Sequence, residues 1–298
     1  FVITQRTVTI TKIPTAKTLT YTGSAQTLLN AGTCSSGGTM YYGLKNTSYN
    51  TTDWSPSIPT KTDAGTYTVY YMCHVADTNN NTAGTGVEVA TSVSVTISKR
   101  NVTYKATDQS KTYDGTAYAV TGKASVAGKI YYGTSSATSG MTSTKAVSAN
   151  TATNITGRKD YGTTTVYAYF VPTDTTNYKS LGSSSNDHTS ASVTISKATG
   201  YLTATTTNRT YNGSAQTIAT ISTNSGSYYF GFGSSTTSAP TSWGTANKAL
   251  TATNAGTYYV WAKCDAATNY NAVSQKYIGT VTIGKATPTL TLTGASKT

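Results

Sequence analysis

The sequence predicts an all-β chain in which a sandwich-sized unit recurs, and three observations carry that prediction. Strand and turn formers dominate the composition: charged residues are 11% of the 298, tyrosine reaches 24 copies, and Glu88 is the only glutamate. Thr and Tyr suit pleated, half-buried strands, Gly and Asn suit turns, and helix formers are scarce. Four short landmarks return three times in one order, which marks a repeat architecture. The segment after the fourth landmark alternates apolar and polar residues with period two, as a half-buried strand does.

The first landmark is a strand ending in a basic or amide residue. It reads Phe1-Val-Ile-Thr-Gln5, Val95-Thr-Ile-Ser-Lys99, Val193-Thr-Ile-Ser-Lys197 and Val281-Thr-Ile-Gly-Lys285. From Gln5 to Lys99, Lys99 to Lys197 and Lys197 to Lys285 the spacings are 94, 98 and 88 residues. A rival register, Val8-Thr-Ile-Thr-Lys12, also fits the pattern. The first register is preferred because it keeps the next landmark at a steady offset. That next landmark is Tyr-x-Gly-x-Ala, at Tyr21, Tyr113 and Tyr211. The third is an aromatic pair before glycine, at Tyr41-Tyr42-Gly43, Tyr131-Tyr132-Gly133 and Tyr229-Phe230-Gly231. The fourth is Asp63-Ala-Gly-Thr-Tyr67, Asp160-Tyr-Gly-Thr-Thr164 and Asn254-Ala-Gly-Thr-Tyr258. Asn-rich turns follow, among them Thr176-Asn-Tyr178 and Thr268-Asn-Tyr270.

The strand after the fourth landmark separates a core face from an outer face. One face carries Tyr67, Val69, Tyr71 and Cys73; then Thr164, Val166, Ala168 and Phe170; then Tyr258, Val260, Ala262 and Cys264. The other carries Thr68, Tyr70 and Met72; then Thr165, Tyr167 and Tyr169; then Tyr259, Trp261 and Lys263. Strands of this length with turn signals every 8–12 residues or so indicate a sandwich or barrel. A unit of roughly 90–100 residues fits a seven-strand sandwich.

The fourth landmark resembles the tyrosine-corner segment of immunoglobulin folds, with Tyr67 and Tyr258 as the corner tyrosines. In that fold the tyrosine stands two residues before the second core cysteine. Val69 and Val260 occupy that place here, and Thr164 replaces the tyrosine in the second repeat, so its corner is held differently. The wider pattern is similar to bacterial immunoglobulin-like tandem repeats. It combines Trp54 or Trp243, Ala-Gly-Thr-Tyr, Asn-Tyr and Val-Thr-Ile-x-Lys. The resemblance covers almost the whole chain. It implies tandem immunoglobulin-like β-sandwich domains in a semi-rigid array, of the kind found in surface adhesins, wall-associated proteins and decorations of phage virions.

The expected domains are an end strand of a preceding repeat over 1–5, repeats over 6–99, 100–197 and 198–285, and the first strand of a further repeat over 286–298, so that the chain reads as cut from a longer array. No linker separates the repeats, because Lys99 runs straight into Arg100 and Lys197 into Ala198.

Chemistry is harder to nominate. The two histidines, His74 and His188, fall at unrelated repeat positions, and Asp187 is the one aspartate near His188. Ten carboxylates are scattered singly, where a glycosidase needs a facing pair and calcium sites cluster acids. No catalytic residue, cofactor or metal site is therefore expected. The net charge of +12 comes from scattered Lys and Arg rather than a basic stripe, so nucleic acid is not an expected partner, while anionic polymers or a virion shell stay open. No apolar run approaches the roughly 18 residues of a membrane span. Of the three cysteines, Cys34 and Cys73 share a repeat and could bridge, yet Cys264 occupies the position of Cys73 without a partner, which favours small buried apolar residues.

One feature is open to a contact role. Tyr70, Tyr167 and Trp261 share one repeat position on the outer face. They are either cross-strand packing or a ladder of amphipathic platforms for sugars or proteins. The function expected is a non-catalytic structural and adhesive array of an extracellular bacterial surface protein. Its partners would be a host or cell-surface protein or glycan and the neighbouring repeats of the same chain. The alternatives are a fibre or decoration protein of a bacteriophage virion, with virion proteins as partners, and an array of carbohydrate-binding modules.

Overall fold

A computed structural model describes residues 2–181 and 188–294. Asp187 lies outside the described residues. The fold is all-β, a tandem array of immunoglobulin-like sandwiches; the helical element among the described residues is a single 3-10 turn, Thr138–Gly140. The chain gathers into two compact units. One comprises Phe1–Ala106, Thr121–Ile155 and Val166–Ser190; the other comprises Thr107–Val120, Thr156–Thr165 and Ala191–Thr298. The first repeat thus lies in the first unit, the third in the second, and residues 100–197 are divided between them.

In the first unit the strand after the fourth landmark, Gly65–His74, lies between Thr91–Ser98 and Thr39–Gly43 and runs antiparallel to both. Leu19–Thr20 joins the far edge of Thr91–Ser98 in parallel. The facing layer consists of short pairs: Ile10–Lys12 with Thr33–Cys34, Thr15–Ala16 with Leu29–Asn30, and Gln26–Thr27 with Thr60–Lys61. Between the layers Val69, Tyr71, Val95 and Ile97 pack against Leu28 and Leu29. This is the period-two face made physical, since Val69 is fully buried while Thr68 on the other face is exposed. Also in this unit, Gly128–Gly133 pairs with Ser143–Val147 and with residues 167–172 of the next fourth-landmark strand.

The second unit repeats the plan. Gly256–Cys264 lies between Val273–Gly284 and Tyr228–Gly233, and Arg209–Thr210 joins Val273–Gly284 in parallel. Gln109–Thr112 joins residues 193–196 in the same parallel sense. The facing layer is a three-stranded sheet of Leu202–Thr206, Gln216–Thr223 and Leu250–Ala252. Leu202, Ile218 and Ala252 meet Phe230, Val260, Ala262, Val281 and Ile283 in one core.

Two landmarks have local reasons. The Tyr-x-Gly glycines, Gly23, Gly115 and Gly213, take φ of +88°, +82° and +80°, a left-handed turn that a side chain resists. The fourth landmark closes a tyrosine corner: Tyr67 Oη donates to the Asp63 carbonyl and Tyr258 Oη to the Asn254 carbonyl, each at 2.7 Å. In the second repeat Arg158 takes over from the missing tyrosine. Its guanidinium donates to the Asp160 carbonyl at 2.8 Å, the Tyr161 carbonyl at 2.5 Å and Thr164 Oγ1 at 3.1 Å.

The cysteines correct the sequence reading. Cys34 and Cys73 form a disulfide, whereas Cys264 is free and buried. The small-apolar role therefore describes Cys264 alone. Cys73 has a second cysteine opposite it on the facing layer, while Thr223 takes the place of that partner in the third repeat: Cys34 pairs with Ile10 as Thr223 pairs with Leu202.

Candidate functional site

The outer-face aromatics sit opposite glycines. Across the sheet Tyr70 faces Gly43, Tyr167 faces Gly133 and Trp261 faces Gly231. These are the glycines of the third landmark, so the two motifs meet across the sheet as cross-strand pairs. A Cβ on Gly43 would lie 2.6 Å from the Asp53 carbonyl oxygen, one on Gly133 2.2 Å from that of Gly140, and one on Gly231 2.5 Å from Pro240. A loop therefore closes over the sheet at each of these points. Tyr70 and Tyr167 are half-buried. Trp261 is only 8% exposed, its indole N–H donates to the Ser235 carbonyl at 3.2 Å, and its ring meets Tyr277 edge-on. Its ring offers no open face, which departs from a sugar platform.

The neighbouring outer-face positions vary between repeats. In the first, Tyr49 stacks on His74 with ring centroids 3.7 Å apart, Tyr41 meets both edge-on, and His74 Nδ1 lies 3.0 Å from Glu88. In the second, Tyr131 and Tyr169 stack at 4.9 Å. In the third, the Lys263 ammonium sits 5.3 Å from the Tyr229 ring and 4.8 Å from the Trp243 ring. His188 lies edge-on to Tyr167 at 5.7 Å. Among the described residues no three of His, Cys, Asp and Glu gather closely enough to hold a metal ion, and no helix is long and apolar enough to cross a membrane.

The Asn-Tyr turns form a dense polar constellation. Sequence reasoning saw them only as turns. Asn177 is 6% exposed, and its carboxamide is fully engaged. Its Oδ1 accepts the Ala64 N–H at 2.7 Å, and its Nδ2 donates to Asp63 Oδ1 at 3.1 Å and Asp174 Oδ2 at 2.9 Å. Arg100 N–H donates to the Asn177 carbonyl at 2.8 Å, and Lys99 Nζ donates to the Thr175 carbonyl at 2.7 Å. The Tyr178 ring meets Tyr21 edge-on at 5.4 Å. Desolvation, with Tyr178, Asp174 and Asp63 close by, raises the Tyr21 phenol above its ordinary value. Three of the four landmarks and the Asn-Tyr turn thus converge on one joint: the end-of-strand lysine, Tyr-x-Gly, the fourth landmark and the turn itself.

The second unit holds the same joint one repeat later. Asn269 Oδ1 accepts the Tyr161 N–H at 2.8 Å, and its Nδ2 donates to Asp160 Oδ1 at 2.9 Å. Ala198 N–H donates to the Asn269 carbonyl at 2.9 Å, Lys197 Nζ to the Ala267 carbonyl at 2.8 Å, and Tyr270 meets Tyr113 edge-on at 5.5 Å. At the start of the chain Gln5 Nε2 donates to the Thr78 carbonyl at 2.8 Å and Arg6 N–H to the Asn80 carbonyl at 3.0 Å. The readable signal was co-occurrence: Asp-Ala or Asp-Tyr in one repeat, Asn-Tyr in the next. A shallow cavity of about 550 Å³ lies beside the second joint, lined by Tyr161, Thr163, Ser196, Lys197 and Asn271.

No family model matches the chain, and no curated protein is significantly similar to it in sequence. Its neighbours among solved structures are immunoglobulin-like and adhesin tandem domains. A tetra-tandem repeat from the extending region of a large adhesion protein is 18% identical, with 94% of this chain and 74% of that one covered and a TM-score of 0.32. Sidekick-1 immunoglobulin domains 1–5 are 8% identical over 94% of this chain at a TM-score of 0.32, and the chain spans 59% of that structure. Three N-terminal domains of the bacteriophage RB49 Highly Immunogenic Outer Capsid protein are 11% identical, with 94% and 100% covered and a TM-score of 0.25.

Proposed function

We propose that this chain is a non-catalytic structural and adhesive array, its repeats running over 6–99, 100–197 and 198–285, carried by a bacterial surface protein outside the cell. The observation that carries the reading is the joint. Equivalent positions couple successive repeats in both places, with a carboxamide bridging the neighbour's backbone and carboxylate. Hydrogen bonds to a carboxylate are about twice as strong as neutral ones, and losing a buried partner costs roughly 1–3 kcal/mol. Couplings of that size suit a chain whose task is to hold one repeat against the next. The disulfide supports a location outside the cytosol, since such bonds persist in oxidising compartments. The outer-face clusters, which differ in chemistry while the core face repeats, supply varied surfaces for a protein or glycan partner.

Amide exchange tests the reading. The Ala64 and Tyr161 amides should exchange at least ten-fold more slowly than Ala255, whose amide has no partner among the described residues. Asn177→Ala and Asn269→Ala should each release its own amide while far-UV circular dichroism stays unchanged. Ala64 and Tyr161 exchanging as freely as Ala255 in the unaltered chain would remove the basis for a coupled array. The net charge of +12 favours a second reading, attachment to an anionic virion or wall polymer. Binding to polyanionic particles that falls steeply between low and physiological salt would support it, and salt-independent binding would dismiss it.

A further inference from the structure

We propose that Tyr211, Asn254, Ala255, Lys285 and Ala286 form a preformed receptor for the asparagine-bearing turn of a further repeat. The inference rests on the joint reading above and extends it to the equivalent positions of the third repeat, which have no such turn against them among the described residues.

The five residues occupy the positions that make the joint elsewhere. Tyr211 corresponds to Tyr21 and Tyr113, and the pair Asn254-Ala255 to Asp63-Ala64 and Asp160-Tyr161. Lys285-Ala286 corresponds to Lys99-Arg100 and Lys197-Ala198. Their local geometry is already that of the occupied joints. Tyr211 N–H donates to the Gly284 carbonyl at 2.8 Å, as Tyr21 does to Ser98 at 2.9 Å and Tyr113 to Ser196 at 2.8 Å. Tyr258 Oη holds the Asn254 carbonyl at 2.7 Å, the distance at which Tyr67 holds that of Asp63. What differs is occupancy. Tyr211 is 41% exposed and has no ring partner among the described residues, whereas Tyr21 and Tyr113 are half-buried against tyrosines. Asn254, Ala255, Lys285 and Ala286 are all exposed.

The receptor dictates its ligand. The Ala255 N–H needs an acceptor and Asn254 Oδ1 needs a donor, which one carboxamide supplies together. The Lys285 ammonium needs a carbonyl two residues before that asparagine, and the Ala286 N–H needs the carbonyl of the asparagine itself. Tyr211 needs an aromatic ring at the following residue. The turns over 175–178 and 267–270 meet these demands in their own joints. Asn254 stands where the other joints have Asp63 and Asp160, so this joint lacks the charge assistance and is the weaker of the three. The occupant is a repeat continuing in the chain direction after Lys285, because in both formed joints the residue after the lysine is itself hydrogen-bonded to the turn.

The first repeat of this chain supplies a probe. Its turn is already shaped for the role: Asn80 Nδ2 donates to Asp77 Oδ2 at 2.9 Å, as Asn177 does to Asp174. It carries Asn81 where the other turns have tyrosine. The experiment joins a second copy, starting at Arg6, directly after Lys285, and follows amide exchange at Ala255. The expected result is exchange at least ten-fold slower than in the single chain, reversed by Asn80→Ala in the second copy and slowed further by Asn81→Tyr. Asn80 is exposed in the single chain, so the single-chain Asn80→Ala variant checks that folding is intact. Equal exchange of Ala255 in the joined and single chains, with Ala64 and Tyr161 still protected, overturns this inference and leaves the array reading standing. Loss of protection at Ala64 and Tyr161 as well overturns both.

Discussion

The first and third repeats each build a sheet on the same plan and differ in the layer that faces it. In both, the fourth-landmark strand sits between two antiparallel neighbours, with a short parallel strand at the far edge. In the third repeat the facing layer is continuous, with Leu202–Thr206 pairing residue for residue with the end of Gln216–Thr223, and one core lies beneath it. In the first it is broken into two- and three-residue strands. Pro14 interrupts it, having no N–H to give a ladder, and Gly32 lies against the proline so closely that a Cβ would stand 2.6 Å from its ring. The core divides accordingly, with Val8, Cys73, Val75 and Val87 forming a satellite cluster. The disulfide crosses that satellite. The comparison teaches that a covalent link stands in the first repeat where sheet continuity stands in the third.

The largest expected effect comes from breaking that link. Closing a loop with a sequence separation of 39 removes about 4 kcal/mol of chain entropy from the unfolded state. Replacing Cys34 and Cys73 by alanine should therefore lower the first repeat's thermal transition and leave that of the third in place. Reductant should do the same to the unaltered chain. Calorimetry reads both, and a shift shared equally by the two repeats would break the comparison.

The converse substitution sharpens it. Thr223 occupies the place of Cys34, and its side chain lies against the buried Cys264 thiol, whose pKa burial raises. Thr223→Cys should bond to Cys264, so that neither sulfur titrates as a free thiol in the folded oxidised chain. The gain should be about 2 kcal/mol, less than the loop-closure value, because engineered links distort their surroundings. The variant also loses the bond from Thr223 Oγ1 to the Tyr201 carbonyl at 2.6 Å, roughly 1 kcal/mol. Two titratable thiols would show that the equivalence of the positions ends at the backbone.

These contrasts also mark what the sequence could express. Alternation is local, so the buried face of Val69, Val166 and Val260 was readable from the residues themselves, and so was the turn chemistry of Gly23, Gly115 and Gly213. The corner at Tyr67 was readable because donor and acceptor lie four residues apart. The joint was not, because Asn177 meets Asp63 across 114 residues and neither residue has an unusual neighbourhood in sequence. The disulfide was obscured by the third cysteine, which occupies an equivalent site without a partner. Trp261 belonged by alternation to the outer face; a loop from Ser235 to Pro240 covers it, and alternation says nothing about what lies above a sheet.

The smallest effect separates the two joints. The turn of the first joint contains Asp174, and that of the second has Ala266 in its place. Hydrogen bonds from the Asn177 side chain, then from the backbone of Asn177 and Thr176, with Lys99 nearby, hold the Asp174 carboxyl below its ordinary pKa. A carboxylate depressed in the folded state contributes stability above its unfolded pKa, about 4, and loses it as the pH falls through the folded value. Acidification below about pH 4 should therefore raise exchange at Ala64 faster than at Tyr161, by a few-fold once intrinsic rates are divided out. Asp174→Ala should abolish that difference and leave the two joints responding alike. Equal loss of protection at both amides in the unaltered chain would mean that the Asx turn is a passive loop, and that the joint is held by the bridging asparagines alone.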